Sequence, residues 1–215
     1  MNNKKFVLSY SGGKDCILAM YRKIKEGATP VALLTTIKKS ESESWTHGLS
    51  YDLLEEVSKS LDLPVIYVEC NVEEYESKFE EKLRIAKEMG ASTVVYGDID
   101  IEDHKKWGAD RAKNADLEYD FPLWQEDREK LVHEFIDAGF KAVIKKVNLN
   151  YMSEYFLGKV LDKDLVEEIK ATGSDACGEN GEYHTFVIDG PIFNKEINVD
   201  IEKIKREKNY GFQLI

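Results

Sequence analysis

Short apolar runs alternate with longer stretches of helical periodicity along the first two thirds of the chain. Runs rich in β-branched residues predict buried strands, and apolar residues that recur every three or four positions predict amphipathic helices. The predicted strands cover residues 6–8, 31–37, 65–68, 93–96 and 142–144. Because parallel strands need long crossovers, this alternation predicts a doubly wound α/β fold, with a five-stranded parallel sheet and helices on both faces.

The rhythm of the pattern changes after residue 145. Two helical segments are followed by a strand and then by strands around a turn, at residues 151–161, 164–172, 183–188 and 197–215. We therefore expect two domains. Residues 1–145 form the α/β domain, and residues 146–215 form a small α+β domain that serves as a lid or substrate domain.

The first predicted strand gives way to Ser11-Gly12-Gly13-Lys14-Asp15, which opens a helix. Backbone N–H groups and the positive end of the helix dipole converge at such a helix start, which favours an anion. Glycine lets the backbone approach a phosphate closely, and Lys14 adds a positive charge. Leu8 and Asp15 break the Walker A pattern, so the sequence predicts a different phosphate loop, suited to pyrophosphate. A turn that serves chain geometry alone is the alternative.

The charge balance narrows the choice of partners. The chain has 30 Lys and Arg residues against 41 Asp and Glu residues, a formal net charge of -11, so nucleic acid is not an expected partner. The sequence contains neither an apolar stretch of membrane-spanning length nor the apolar core of a signal peptide. From these absences we expect a soluble cytoplasmic protein. Cys16, Cys70 and Cys177 lie far apart in the sequence, so we expect reduced thiols.

Several stretches together carry a resemblance to a known family. They are Ser11-Gly12-Gly13-Lys14-Asp15-Cys16, Gly97-Asp98-Ile99, Pro122-Leu123-Trp124, and the segments at residues 175–185 and 189–193. The loop is similar to the SGGKDS loop of the N-type ATP pyrophosphatases, the PP-loop superfamily. In their order and spacing, the stretches resemble the diphthine-ammonia ligase family from Lys5 to Phe193. The resemblance implies a HUP-like sheet with the strand order 3-2-1-4-5.

The same resemblance implies an ATP-dependent amide ligase. It implies that a carboxylate attacks ATP at the α-phosphate to give an acyl-adenylate and pyrophosphate, after which ammonia displaces AMP. ATP and Mg2+ are the implied cofactors, because a cation neutralises the charge that develops on the phosphates. The implied partners are ammonia and a carboxylate acceptor, either a small molecule or a protein side chain. A homodimer is left open.

The resemblance also implies which residues form the site. The implied nucleotide-binding residues are Ser9, Ser11, Gly12, Gly13, Lys14, Asp15, Cys16, His47, Gly97 and Asp98. The implied catalytic residues are Lys14, Glu182 and His184. The implied substrate-binding residues are Trp124, Glu179, Asn180 and Glu182. Asp15 and Asp98 are the implied metal ligands.

Each of these positions also has a purely structural interpretation. Asp98 could cap a helix, His47 could decorate a loop, and Trp124 could be a core or domain-interface residue. The segment at residues 175–182 crowds three acids together. Such a segment is either a solvated acidic loop or a site for a metal, an ammonium ion or a substrate cation.

Two positions depart from the family pattern. Cys16 replaces the serine that is usual in the loop, so either phosphate binding weakens or the thiol has a role of its own. His184 differs from the residue of archaeal and eukaryotic members, which we interpret as the mark of a bacterial branch with another acceptor. Two other function classes stay open: a nucleotide-sensing module without turnover, and a tRNA-modifying enzyme that uses the same loop.

Overall fold

The computed structural model describes residues 4–39, 43–45, 48–199 and 203–214. Contacts between residues divide them into two compact units. The first unit contains the described residues up to Ser11 and from Asp15 to Gln125. The second contains Gly12–Lys14 and the described residues from Glu126 onward. The predicted domain boundary after residue 145 stays a prediction.

The first unit is built on a mostly parallel sheet. Its described strands are β1 (Lys5–Ser9), β2 (Thr29–Lys38), β3 (Glu43–Ser44), β4 (Val65–Cys70), β5 (Thr93–Val95) and β6 (Glu118–Asp120). Five of them run parallel in the order β4-β2-β1-β5-β6, and β3 pairs antiparallel with β2. Counted along the chain, the parallel strands have the order 3-2-1-4-5, so the HUP-like topology is confirmed.

The central strand of this sheet is β1, where Val7 pairs with Ala32 of β2 on one side and Val94 of β5 on the other. These three residues are fully buried, and Phe79 packs into the same apolar cluster. The chain order reverses direction at β1, and in open α/β sheets ligands bind outside the carboxyl ends of the strands at this point. The core therefore fixes the positions of the ends of β1, β2 and β5, close to several of the predicted nucleotide-binding residues.

Helices connect the strands. Those among the described residues are α1 (Lys14–Lys25), α2 (Tyr51–Leu61), α3 (Tyr75–Glu88), α4 (Glu102–Asn114), α5 (Arg128–Asp137) and α6 (Lys163–Ala171). Side-chain oxygens of Ser50, Asp127 and Asp162 accept hydrogen bonds from first-turn N–H groups and cap α2, α5 and α6. A helix long and apolar enough to span a membrane is not found within the described ranges.

The second unit contains an antiparallel sheet. Its described strands are β7 (Lys141–Asn148), β8 (Tyr183–Asp189), β9 (Lys203–Glu207) and β10 (Tyr210–Leu214), in the order β8-β7-β10-β9. The pairing of β7 with β8 places Val143 opposite Phe186 and Lys146 opposite His184. The small α+β character predicted for the C-terminal part of the chain is thus confirmed.

Three predictions about individual elements are wrong. Residues 142–144 form a strand, but this strand is part of β7 in the second sheet, and β6 is the fifth parallel strand. The helix expected at residues 151–161 is only a 3-10 turn at Glu154–Phe156, because Ser153 caps that turn and Gly158 leaves it at φ +75. The helix expected at Pro122 begins at Arg128, since Gln125 at φ +59 cannot continue a right-handed helix.

Candidate functional site

The predicted phosphate loop connects the end of β1 to the start of α1. Gly12 has φ +92, a left-handed conformation that a residue without Cβ adopts at little cost. Lys14 is the first residue of α1, and Asp15 in the first turn suits the positive end of the helix dipole. Gly13 is buried beside them. The local sequence therefore gives the strand, glycine turn and helix start that the sequence analysis predicts.

Strand β8 holds this loop through two hydrogen bonds. The N–H of Val187 donates to the carbonyl of Gly12 at 3.0 Å. The N–H of Lys14 donates to the hydroxyl of Thr185 at 3.0 Å, and this bond is buried. One of the N–H groups that could face an anion at the helix start thus already has an acceptor.

The Lys14 side chain is buried, with 3% of its surface exposed. Its Nζ donates to the carbonyl oxygen of Cys177 at 2.6 Å and lies 5.6 Å from the ring centroid of Tyr183. A buried ammonium requires partners of this kind, because its desolvation is otherwise very costly. Cys177 is therefore a contact of the loop lysine that sequence reasoning did not assign.

Cys16, where the family pattern has serine, lies inside the first turn of α1. The hydroxyl of Ser11 donates to its Sγ at 3.4 Å. All three cysteines are free thiols and all are buried. The thiol at Cys16 thus fills a packed position next to the loop.

Gly97 and Asp98 follow β5 and meet the start of α1. A Cβ built on Gly97 would lie 2.5 Å from the backbone N of Cys16, far inside van der Waals contact. Gly97 is therefore the residue that allows the two segments to approach. Asp98 is about two thirds shielded, and its Oδ1 lies 3.2 Å from Nδ1 of His104, a residue with no role in the sequence analysis.

A cavity of about 120 Å³ opens at the carboxyl ends of β1 and β2. Ser9, Tyr10 and Ser11 line one wall, and Thr36, Trp45 and Tyr75 contribute to the others. The rings of Trp45 and Tyr75 lie 4.8 Å apart between centroids. The cavity is smaller than the roughly 300–1,000 Å³ of sites that enclose a whole ligand, so it suits one part of a larger molecule.

Tyr10 gives this cavity an unusual polar group. Its side chain is 3% exposed, and its hydroxyl has no hydrogen-bond partner among the described residues. Burial raises the pKa of this hydroxyl well above its ordinary value, so it remains a neutral donor. Buried polar groups are nearly always hydrogen-bonded, and an orphaned hydroxyl on a cavity-lining residue therefore points to a ligand.

The acidic segment at residues 175–182 is organised by hydrogen bonds within itself. Glu182 is 4% exposed. Its Oε1 accepts from the N–H of Asp175 and the amide of Asn180, and its Oε2 accepts from the N–H of Asn180, at 3.0–3.1 Å. Asp175 accepts from the N–H groups of Cys177 and Glu179 at 2.8 and 3.3 Å. The carboxylates of Glu182, a predicted substrate contact, and of Asp175 thus hold their own loop in shape.

His184 lies on β8 beside Lys146 of β7. Its burial, followed by the charges of Lys146 and Lys14, lowers the pKa of the imidazole to about 4. His184 is therefore neutral at pH 7. In this state it serves as a hydrogen-bonding group and is a weak proton acceptor.

Two further predicted site residues stand apart from these contacts. Trp124 packs against the core of the first unit, 6.0 Å from Phe121 between ring centroids, with Lys105 Nζ 4.0 Å from its ring centroid. These contacts match the core role that the sequence analysis left open. His47 lies outside the described residues, so its predicted contact with the nucleotide stays a prediction.

Sequence reasoning missed several residues at these places. Tyr10 and Thr185 are the clearest, with Trp45 and Tyr75 at the cavity. Tyr10 follows a buried strand directly, which is a position that faces a ligand crevice in α/β folds and could have marked it. Thr185 carries no such signal, because its contact with Lys14 joins segments 171 residues apart.

A parallel sheet of this order, with a glycine turn and helix start at its central strand, defines the class of HUP-like α/β proteins. The model of the diphthamide synthase N-terminal domain matches residues 4–115, and that of the diphthamide synthase C-terminal domain matches residues 127–215. The chain belongs to the diphthine–ammonia ligase family.

Curated relatives cover most of the chain. Diphthine–ammonia ligase of Homo sapiens is 31% identical over 90% of this chain and 82% of its own length. The Mus musculus protein is 31% identical over 88% and 80%, and the Danio rerio protein is 26% identical over 88% and 84%. These relatives are animal proteins, and they give no support to the interpretation of His184 as the mark of a bacterial branch.

Proposed function

We propose that this protein is an ATP-dependent ligase that joins ammonia to a carboxylate. Family membership over both halves of the chain supports the ligase activity and the use of ATP. The glycine turn at the start of α1 supports the binding of phosphates there, since helix starts attract anions. The geometry of the first unit supports a binding mode in which the nucleoside part of ATP enters the cavity at the ends of β1 and β2.

The Tyr10 hydroxyl, which has no partner in the described part of the chain, is the observation that carries the nucleotide assignment. It is a buried donor on a residue that lines the cavity together with Ser11, the first residue of the predicted phosphate loop. Aromatic side chains and hydroxyls together suit a nucleoside, because a base needs an apolar face and a few polar contacts. We therefore assign the nucleoside of ATP to the cavity and its phosphates to the loop.

The proposed reaction proceeds through an acyl-adenylate. A carboxylate oxygen attacks the α-phosphorus of ATP, the bond to the β-phosphate oxygen breaks, and pyrophosphate leaves. Ammonia then attacks the acyl carbon, AMP leaves with the C–O electron pair, and the ammonia nitrogen gives up a proton as the amide forms. Lys14 contributes positive charge at the loop in this proposal.

Asp98 is the residue that best fits a proposed Mg2+ ion. Asp98 lies just after β5, and the absence of a Cβ at Gly97 lets this segment contact the first turn of α1. Oxygen ligands are those that Mg2+ prefers, and a bound ion would offset the negative charge of the phosphates. Asp15, in the first turn of α1, is the second proposed ligand.

For the ammonia step we propose a different division of roles from the one that the family resemblance implies. Glu182 accepts three hydrogen bonds inside its own loop, so we assign it to holding that loop and not to deprotonation. Neutral His184 is assigned to hydrogen bonding with the incoming nitrogen. Glu179 and Asn180 remain proposed contacts of the acceptor. The relatives are named for diphthine, and we propose a diphthine carboxylate as the first acceptor to examine.

The nucleotide assignment is tested by calorimetry with Tyr10→Phe. We expect ATP affinity to fall about tenfold, the value of one good hydrogen bond, while the free energy of unfolding stays equal or rises because an unpaired buried hydroxyl is removed. Tyr96→Phe is the matched control, since that buried hydroxyl donates to the Gly108 carbonyl at 2.9 Å. This control should lose stability and keep ATP affinity; the opposite pattern would refute the assignment.

The alternative function is that of a nucleotide sensor, which binds ATP without catalysis. A measurement of turnover distinguishes a sensor from a ligase. A sensor binds ATP in the same cavity and releases no pyrophosphate. We expect pyrophosphate to accumulate when the wild-type protein receives ATP, ammonium and an acceptor carboxylate. Binding of ATP with no release across acceptors that include diphthine would favour the sensor.

A further inference from the structure

Arg128 occupies an unfavourable place for a cation. It is the first residue of α5, where the helix dipole is positive and acidic residues are preferred. Its side chain is only one quarter exposed. The guanidinium nevertheless has acidic and amide acceptors, because it donates to Asp175 Oδ2 at 3.1 Å and to Asn180 Oδ1 at 3.2 Å. These contacts reach across 47 and 52 residues of sequence.

Asp175 divides its two carboxylate oxygens between two tasks. Oδ2 receives the Arg128 guanidinium, while Oδ1 accepts the N–H of Cys177 at 2.8 Å. The same carboxylate therefore ties α5 to the backbone that leads into Cys177. Charge-assisted hydrogen bonds of this kind are about twice as strong as neutral ones.

The backbone on the other side of Cys177 is equally constrained. Gly178 has φ +76, and a Cβ there would lie 2.8 Å from the ring of Tyr183. The hydroxyl of Tyr183 donates to the carbonyl of Ala176 at 2.6 Å. With both flanks fixed, the direction of the Cys177 carbonyl is fixed as well.

That carbonyl is the group that holds the loop lysine. Lys14 Nζ donates to it at 2.6 Å, inside the buried part of the unit. A continuous path of hydrogen bonds thus runs from Arg128 through Asp175 and the Cys177 backbone to Lys14.

We propose that Arg128 is a positioning residue, which holds the loop at residues 175–182 so that the Cys177 carbonyl keeps the Lys14 ammonium at the start of α1. Arg128 acts on phosphate binding through Lys14 and does not touch the nucleotide. This inference rests on the proposed function, because it assigns ATP phosphates to the loop that Lys14 begins.

A double-mutant cycle measures this path. Calorimetry with ATP and with adenosine would be run on the full-length wild-type protein, Arg128→Ala, Lys14→Ala and the double variant. We expect Arg128→Ala to weaken ATP binding about tenfold, as expected for a lost charge-assisted contact, and to leave adenosine binding unchanged. In the Lys14→Ala background, Arg128→Ala should have little further effect, since coupled residues are not additive.

Two matched variants separate positioning from general loss of structure. Lys130→Ala removes a cation from the exposed side of the same helix and should leave ATP binding unchanged. Arg128→Lys keeps the charge without the planar fork and should weaken ATP binding by less than Arg128→Ala does. Guanidinium ions added to Arg128→Ala should restore part of the lost ATP affinity.

The outcomes identify which claim fails. If the wild-type protein takes up neither ATP nor adenosine, the proposed function is overturned and this inference with it. If the wild-type protein binds ATP but Arg128→Ala binds it equally well, or if its effect adds in full to that of Lys14→Ala, the role of Arg128 is overturned and the nucleotide site stands. An equal loss of ATP and adenosine binding would also refute it.

Discussion

At the scale of single residues, Gly97 shows how the absence of a side chain shapes the site. A Cβ at this position would meet the backbone of Cys16 at 2.5 Å, and backbone cannot move aside as a flexible side chain can. We predict that Gly97→Ala lowers ATP affinity by tenfold or more, because the start of α1 must shift away from the end of β5. Calorimetry with ATP measures this effect.

The control for this change is Gly108→Ala in α4. A Cβ there would lie 3.1 Å from ring atoms of Tyr96, which are side-chain atoms and not backbone. ATP affinity should stay within about twofold of wild type in this control, since alanine also favours a helix more than glycine does. Equal affinities of Gly97→Ala and wild type would contradict the close approach.

His184 makes the stability of the folded protein depend on pH. Its pKa is about 4 in the folded protein and about 6.5 when unperturbed. As the pH falls below 6.5, His184 binds a proton in the unfolded chain but stays neutral in the folded protein. The free energy of unfolding therefore falls until the pH reaches about 4. We predict that this linkage removes roughly 2 kcal/mol of stability between pH 7 and pH 5.

Urea unfolding of the wild-type protein and His184→Gln at both pH values measures the linkage. Other titrating groups contribute to both proteins, so the difference between the two pH dependences isolates the histidine. The variant should lose about 2 kcal/mol less than the wild type over this range. Parallel losses in the two proteins would show that the imidazole is not buried in its neutral form.

What the sequence reveals about single residues depends on whether their role is local. Gly12 and Lys14 lie in a contiguous loop whose pattern indicates an anion site, so the sequence alone is enough to predict their role. The predicted role of Glu182 stays a prediction, and an acid count cannot show that its oxygens already accept three hydrogen bonds. Arg128 is invisible in the sequence, because its partners lie about fifty residues away.

At the scale of elements, β8 determines the form of the loop through Thr185. Its hydroxyl accepts the N–H of Lys14, and Thr185 is 2% exposed. We predict that Thr185→Val, which keeps the shape and removes the acceptor, lowers the free energy of unfolding by about 1–3 kcal/mol. The urea midpoint at constant m-value reports this change.

Thr185→Ser is the matched variant for this prediction. It keeps the hydroxyl and removes only a methyl group, a loss of about 1 kcal/mol or less. ATP affinity should fall in Thr185→Val and persist in Thr185→Ser. A serine variant that is less stable than the valine variant would rule out a structural role for the hydroxyl.

Strand prediction succeeded where burial leaves a mark in the sequence. The buried runs of β1, β2, β4 and β5 are apolar and β-branched, and each is found close to its predicted position. Strand β6 was missed because its sequence Glu-Tyr-Asp is polar and largely exposed. Strand β7 was assigned to the wrong sheet, since an apolar run indicates burial but not the partner strand.

At the scale of the whole molecule, two units share one chain, and the family models match both of them. The second unit includes Gly12–Lys14, so the predicted phosphate loop is fixed partly by residues far along the sequence. The net charge of -11 makes a general attraction to phosphate unfavourable. Binding of ATP must therefore come from local groups, which is why single substitutions at the loop are expected to have large effects.

The reaction itself provides the most direct test of the whole account. The full-length protein would be incubated with ATP, Mg2+, ammonium and a diphthine-bearing acceptor, and the nucleotides and phosphates would be quantified by phosphorus NMR. We predict that AMP and pyrophosphate form in equal amounts, that sustained turnover requires both ammonium and the carboxylate, and that Lys14→Ala loses most of the rate. Formation of ADP and orthophosphate, or of AMP at a rate independent of ammonium, would contradict the account.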